Sequence, residues 1–76
     1  MSKVALVTGA SRGIGLAVSK KLARMGYTVY GAARAPFSQE GINSVQLDVT
    51  KPEQIDQAVE SIIAKEGRLD LLVNNA

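Results

Sequence analysis

The segment TGASRGIG, residues 8–15, contains three glycines whose spacing could create a binding site for a phosphate-bearing ligand. A glycine directly after a strand permits a tight turn, and a glycine at a helix start lets the phosphates of a ligand approach the backbone. We therefore expect Gly9 to serve the turn and Gly13 the approach of the phosphates. Gly15 removes a side chain where the first helix turn must lie close to the strand or the ligand. The free amides and positive dipole end of that helix would hold a diphosphate.

This glycine spacing leaves an alternative open, in which the glycines and Ser11 form only a strand-to-helix turn without a ligand. The segment differs from the G-x-G-x-x-G fingerprint, and the absence of Gly-Lys-Ser/Thr excludes a P-loop. Its position between a strand and a helix of a βαβ unit favours the nucleotide interpretation.

The elements that must position this segment follow from the apolar pattern. Buried or alternating apolar runs predict strands, and apolar residues at helical spacing predict helices. The predicted strands are residues 3–8, 27–33, 45–49 and 69–73, and the predicted helices run from 13 to 25 and from 52 to near 67. The apolar stripe expected to pack the first helix consists of Ile14, Ala17, Val18, Leu22 and Met25. Residues 50–53, TKPE, have the form of a capping box, with Thr50 as the cap of the second helix.

This order of elements predicts an α/β fold with a parallel open sheet of Rossmann-type βαβ units and strand order 3-2-1-4. Residues 1–76 would form the N-terminal half of a doubly wound domain. The chain would leave the first strand in one direction and return on its other side, which creates a switch point where ligands bind. The fourth strand would be left as an unpaired apolar edge.

Composition excludes several classes of function. With no cysteine and no histidine, the chain has no disulfide, no thiolate chemistry and too few ligands for a zinc site. A net charge of +2 without a basic run argues against a nucleic-acid partner. No stretch has the pattern of a secretory signal or the length of a membrane span, so we expect a cytoplasmic protein.

Three segments together resemble the short-chain dehydrogenase/reductase family. Residues 8–15 match its T-G-x-x-x-G-x-G signature at every position, and Leu47-Asp48-Val49 is similar to its adenine-binding segment. Residues 72–76, LVNNA, resemble its N-N-A-G motif up to the glycine. The three motifs occur in the family's order along the whole chain.

The resemblance implies roles for individual residues. The residues whose backbone would line the diphosphate and ribose are Ser11, Arg12, Gly13, Ile14 and Gly15. Asp48 would accept a hydrogen bond from the adenine amino group, and the Val49 amide would donate to the ring. Asn75 would touch the adenosine ribose side, and Asn74 would fix the fourth strand beside the glycine turn. The alternatives are a plain turn residue for Asp48 and a ligand-free strand-end network for the two asparagines.

The charge pattern bears on which nicotinamide cofactor is bound. NAD is normally held by an acidic residue after the second strand, but no Asp or Glu occurs before Glu40. Arg34 follows the second strand and Arg12 lies in the glycine turn, so two guanidinium groups could bracket a 2′-phosphate. The sequence therefore predicts NADP(H).

The resemblance implies an oxidoreductase that transfers hydride between NADP(H) and an alcohol or carbonyl substrate. The family's catalytic serine, tyrosine and lysine lie beyond the N-N-A-G motif, so no catalytic residue is assigned within residues 1–76. We expect the 76 residues to be a piece of a longer, homo-oligomeric enzyme and to be inactive alone. Two alternatives are a stand-alone nucleotide-binding or interaction module that pairs its open edge, and a related fold that lost catalysis and serves regulation.

Overall fold

The computed structural model describes residues 2–75 and shows a four-stranded parallel sheet with a helix on each face. The elements are β1 (Val4–Thr8), α1 (Gly13–Arg24), β2 (Thr28–Ala33), β3 (Ile42–Gln46), α2 (Pro52–Glu66) and β4 (Leu71–Val73). The strand order is β3-β2-β1-β4, with β1 parallel to both of its neighbours. The predicted α/β fold and strand order are therefore confirmed.

Strand β1 lies at the centre of the molecule, and all five of its residues are buried. Because successive side chains of a strand point to opposite faces, Val7 packs with Leu22 of α1 while Leu6 packs with Ile62 of α2. The chain goes from β1 to β2 and β3 on one side and returns to β4 on the other. The carboxyl end of β1 is thus the switch point that the sequence predicted.

Helix α1 packs on the sheet through a face that only partly matches the predicted one, because Val18 and Leu22 belong to both. Its buried residues are Gly15, Ser19 and Leu22, whereas Ile14 is 73% exposed and Met25 is 62% exposed. Small residues allow close approach, and the Ser19 hydroxyl donates to the carbonyl oxygen of Gly15 at 2.8 Å. The expectation that Ile14, Ala17 and Met25 belong to the packed stripe is wrong, and the same expectation for Val18 and Leu22 is confirmed.

The connection from β3 to α2 also differs from the prediction. Strand β3 covers 42–46 rather than 45–49 because its partner β2 ends at Ala33, whose carbonyl accepts the last cross-strand bond from the Leu47 amide at 3.0 Å. The cap of α2 is Lys51, not Thr50, and it makes no side-chain cap bond. The Thr50 hydroxyl instead donates to Asp48 Oδ1 at 2.6 Å, so the predicted capping box is wrong.

Strand β4 is shorter than predicted, starting at Leu71 instead of Leu69. Asp70, immediately before it, donates its amide to the Val4 carbonyl and accepts the Val4 amide on Oδ2, both at 2.8 Å. Among the described residues, β4 pairs only with β1, so its other side is a sheet edge. No helix in residues 2–75 is long and apolar enough to cross a membrane.

Candidate cofactor-binding site

The turn between β1 and α1 is shaped by glycines that tolerate no side chain. Gly9 has φ +64°, and a Cβ there would overlap the carbonyl oxygen of Asn75. A Cβ on Gly15 would overlap the carbonyl oxygen of Gly9 and lie 2.9 Å from the Asn75 side-chain nitrogen. Gly13 has φ +62°, but a Cβ on it would meet no atom within 4 Å. Backbone packing therefore requires Gly9 and Gly15, while Gly13 faces open space.

The first turn of α1 has amide groups that no side chain satisfies. Its cap residue, Arg12, is extended and makes no side-chain cap bond, and no acidic residue lies in the first turn. The first amide to find an acceptor in the turn is that of Leu16, 3.4 Å from the Arg12 carbonyl. The preceding helical amides lack intrahelical acceptors by geometry, so this end presents donors and positive dipole charge to an anion.

Side-chain hydrogen bonds fix the connection between β3 and α2. Asp48 Oδ1 accepts bonds from the Thr50 hydroxyl at 2.6 Å and the Thr50 amide at 2.9 Å. These bonds, aided by the nearby charges of Arg34 and Lys51, hold the pKa of Asp48 below its usual value. The Asp48 amide itself donates to Oε1 of Gln54 in the first turn of α2, at 2.7 Å.

One backbone amide in the connection between β3 and α2 has no acceptor in the described part of the chain. The amides of Leu47, Asp48, Thr50 and Lys51 each have an acceptor. Within residues 2–75, the Val49 amide has no such acceptor. Half-buried Val49 thus offers an unsatisfied donor beside the ionised carboxylate of Asp48, which is the donor and acceptor pair that one edge of adenine requires.

A cavity of about 630 Å³ joins the two turns at the carboxyl ends of the strands. Its lining includes six predicted site residues, namely Gly9, Ser11, Arg12, Arg34, Asp48 and Val49. The remaining lining residues, which are not among the predicted cofactor-binding residues, are Ala32, Ala33, Ala35, Leu47 and Thr50. The alanines at the end of β2 leave room in the cavity, a signal readable in the sequence as small residues at a strand end. The chemistry of this donor set fits a dinucleotide.

The other predicted site residues lie around this cavity rather than in its lining. Gly13, Ile14 and Gly15 form the start of α1. At the end of β4, the Asn75 amide donates to Thr8 Oγ1 at 2.8 Å, and the Thr8 hydroxyl lies 3.1 Å from Asn74 Oδ1. These bonds hold the end of β4 against the glycine turn. A ribose contact of Asn75 stays a prediction.

The two arginines of the cavity are exposed and available to a ligand. Arg12 and Arg34 both line it, and neither forms a salt bridge with a residue in the described part of the chain. The only ion pair found there joins Arg68 and Asp70 at 2.6 Å. Two unpaired guanidinium groups at one cavity provide the charge and geometry that a phosphate monoester prefers.

Comparison with known proteins identifies the family of this chain. The family model described as short chain dehydrogenase matches residues 3–76. The chain belongs to the short-chain dehydrogenase family. It is 41% identical to the 3-ketodihydrosphingosine reductase of Bacteroides thetaiotaomicron, over 97% of this chain and 28% of that protein. It is 43% identical to the 3-oxoacyl-[acyl-carrier-protein] reductase FabG of Escherichia coli, over 97% of this chain and 34% of that protein.

Solved structures of the short-chain dehydrogenase family share the fold closely. Aldohexose dehydrogenase of Thermoplasma acidophilum superposes with a TM-score of 0.93 at 33% identity, covering 99% of this chain and 29% of that one. ElxO with NADP bound superposes with a TM-score of 0.90 at 39% identity, covering all of this chain and 35% of that one. The chain thus spans about a third of the length of the relatives that it matches.

Proposed function

We propose that this chain is the cofactor-binding part of an NADP(H)-dependent oxidoreductase that acts on an alcohol or carbonyl substrate by hydride transfer. The observation that carries the proposal is the cavity between the two turns. It brings the glycine turn, two arginines and the Asp48–Val49 donor and acceptor pair to the carboxyl end of the sheet. Family membership supports oxidoreductase chemistry for the complete protein.

In this proposal each turn binds a different part of the dinucleotide. The backbone of residues 11–15 and the positive end of α1 would hold the diphosphate, with Gly9 and Gly15 keeping that end close to β1. Asp48 would accept from the adenine amino group while the Val49 amide donates to the ring. Asn75 would lie against the adenosine ribose, and Asn74 would hold β4 in place. When bound, the nicotinamide supplies or accepts the hydride.

The preference for NADP(H) rests on charge. Arg12 and Arg34 would share the 2′-phosphate, and no acidic residue lies between the end of β2 and Glu40 to bind a free 2′-hydroxyl. Two relatives agree with this preference: ElxO has been solved with NADP bound, and a yeast relative 45% identical to this chain is an NADPH-dependent 1-acyldihydroxyacetone phosphate reductase.

The chain's own residues bind and orient in this proposal, and none of them transfers a proton to substrate. The pKa of Tyr30 is raised, but its hydroxyl donates to Glu66 at the far end of α2, outside the cofactor cavity. We therefore assign the chemical step to another part of the complete protein. For the complete enzyme we propose a homo-oligomer in the cytoplasm.

A competition titration tests the cofactor preference. We expect the unmodified protein to bind NADPH more tightly than NADH. Arg34→Ala should weaken NADPH binding by about tenfold, because a charge-assisted phosphate contact contributes about 1.5–3 kcal/mol. The same substitution should change NADH binding by no more than about twofold. Arg24→Ala removes an equal charge from an exposed site on α1 that is remote from the cavity, and should change neither affinity. Equal affinities for the two cofactors, or equal losses of both in Arg34→Ala, would contradict the proposal.

A further inference from the structure

Gln54 lies on α2, outside the three family-like motifs, yet it contacts the proposed adenine-binding segment. Its side-chain oxygen accepts the Asp48 amide at 2.7 Å. Gln54 occupies the third position of α2, where a glutamine side chain is well placed to reach back to a backbone amide before the helix. Here it reaches past the cap residue, Lys51, to a residue of the proposed cofactor site.

The remaining bonds of residues 47–51 show why this contact matters. The bonds from Thr50 and Lys51 to Asp48 close the turn on itself but do not attach it to other elements. Three bonds attach it: the Leu47 amide donates to Ala33 of β2, the Asp48 amide donates to the Gln54 side chain, and the Gln54 amide donates to the Lys51 carbonyl at 3.0 Å. The Gln54 side chain makes the only one of these bonds that attaches Asp48 itself to α2, so its loss would leave the Asp48 end of the turn held by the sheet alone.

The bond from the Asp48 amide to Gln54 also determines which backbone amide is left without an acceptor. With the Asp48 amide occupied by Gln54, the donor left toward the cavity is that of Val49. The Gln54 bond thereby sets the direction of the peptide that precedes the Asp48 side chain. The bond therefore constrains the backbone that carries both the acceptor and the donor.

We propose that Gln54 is a positioning residue that confers selectivity for adenine by fixing Asp48 and Val49 between β3 and α2. This inference rests on the proposed function, because it assumes that Asp48 and Val49 contact the base. It goes beyond that function by assigning base selectivity to a helix residue that does not line the cofactor cavity.

The test is the ratio of dissociation constants for NADPH and its hypoxanthine analogue, measured by calorimetry. In hypoxanthine a carbonyl replaces the amino group and N1 carries a proton, so both proposed contacts meet the wrong partner. We expect the unmodified protein to prefer NADPH by about tenfold or more, since unpaired polar groups cost about 1–3 kcal/mol. Gln54→Ala should reduce this preference to about threefold or less, through weaker NADPH binding.

Two further variants keep the result interpretable. Gln54→Glu retains an acceptor for the Asp48 amide and should restore most of the preference. Gln57→Ala removes the next glutamine of α2, for which the structure gives no bond to residues 47–51, and should keep the wild-type ratio. A role in stability alone would lower the melting temperature of Gln54→Ala and leave the ratio unchanged.

The outcomes separate this inference from the function on which it rests. Absence of NADPH binding in the unmodified protein would overturn both. Equal affinity of the unmodified protein for NADPH and its hypoxanthine analogue would overturn the base contacts of Asp48 and Val49, and the role of Gln54 with them. A normal preference in the unmodified protein that persists in Gln54→Ala would overturn the role of Gln54 alone.

Discussion

The two turns that border the cavity are built by opposite means. The turn from β1 to α1 has its shape because side chains are absent: the backbone of Gly9 lies where a Cβ on Gly15 would be. The connection from β3 to α2 has its shape because side chains are present, since Asp48, Thr50 and Gln54 supply its bonds. Steric exclusion is steep with distance, whereas a hydrogen bond to an exposed segment can be replaced by water.

This difference determines which substitutions the site tolerates. A single methyl group on Gly9 or Gly15 should disrupt the glycine turn as a whole. Losing one hydrogen bond of the connection from β3 to α2 should loosen that connection only in part. Substitutions in the two regions therefore provide a direct comparison of the two ways of building a turn.

The largest effect is expected for Gly15→Ala. The added methyl group would overlap the Gly9 carbonyl oxygen, and the helix would have to move from β1 to relieve the overlap. We expect a loss of about 3 kcal/mol in the free energy of unfolding, measured by urea denaturation, as for overpacked sites. Cofactor binding should be lost as well, because the helix end and β1 separate.

Gly13→Ala is the matched control for this substitution. Its φ of +62° makes alanine strained by about 1 kcal/mol, but the space around it is open. Stability should therefore fall by less than in Gly15→Ala. If the two variants lose the same stability, backbone strain rather than close packing shapes the turn, and the contrast between the two turns fails.

The second connection can be compared with the other end of α2, which is also attached by a side chain. The Tyr30 hydroxyl of β2 donates to Glu66, and this bond, with burial and the glutamate charge, raises the pKa of Tyr30 to about 12. A raised pKa means that the folded state holds the proton more tightly. The resulting stabilisation is complete below pH 10 and is lost as the pH rises toward 12.

We expect the free energy of unfolding to fall by about 1–2 kcal/mol between pH 10 and 12 through Tyr30, because each pKa unit corresponds to about 1.4 kcal/mol and solvent screens a partly buried bond. Denaturant unfolding at several alkaline pH values measures the fall. Tyr30→Phe should flatten the dependence, and Tyr27→Phe, which leaves the Tyr30–Glu66 bond intact, should retain it. A Tyr30→Phe protein with the same alkaline decline would show that the bond does not hold α2.

The same contrast explains what could be predicted from the sequence. Strand order, the burial of β1 and the need for glycine at positions 9 and 15 follow from local apolar patterns and from glycines at a strand end. The limits of β3 did not follow, because this edge strand contains polar, exposed Asn43 and Ser44. Gln54 was missed because its bond depends on where α2 begins, and the capping-box pattern placed the cap one residue too early.

The smallest effect concerns the carboxylate within the second connection. The hydroxyl of Thr50 is the largest contributor to the low pKa of Asp48, ahead of the Thr50 amide and the charges of Arg34 and Lys51. Thr50→Val removes that hydroxyl and should raise the pKa of Asp48 toward the ordinary aspartate value, as followed by carboxyl-carbon NMR.

A lowered pKa stabilises the folded state above the ordinary aspartate range, and this contribution is lost as the pH falls through the folded-state value. In Thr50→Val the acid-induced loss should therefore begin at higher pH than in the unmodified protein. Thr28→Val, at the start of β2, removes a hydroxyl remote from Asp48 and should leave that titration unchanged. An unchanged Asp48 titration in Thr50→Val would mean that the backbone and the neighbouring cations, rather than side-chain bonds, set the pKa of Asp48. The connection from β3 to α2 would then depend on its backbone, as the glycine turn does.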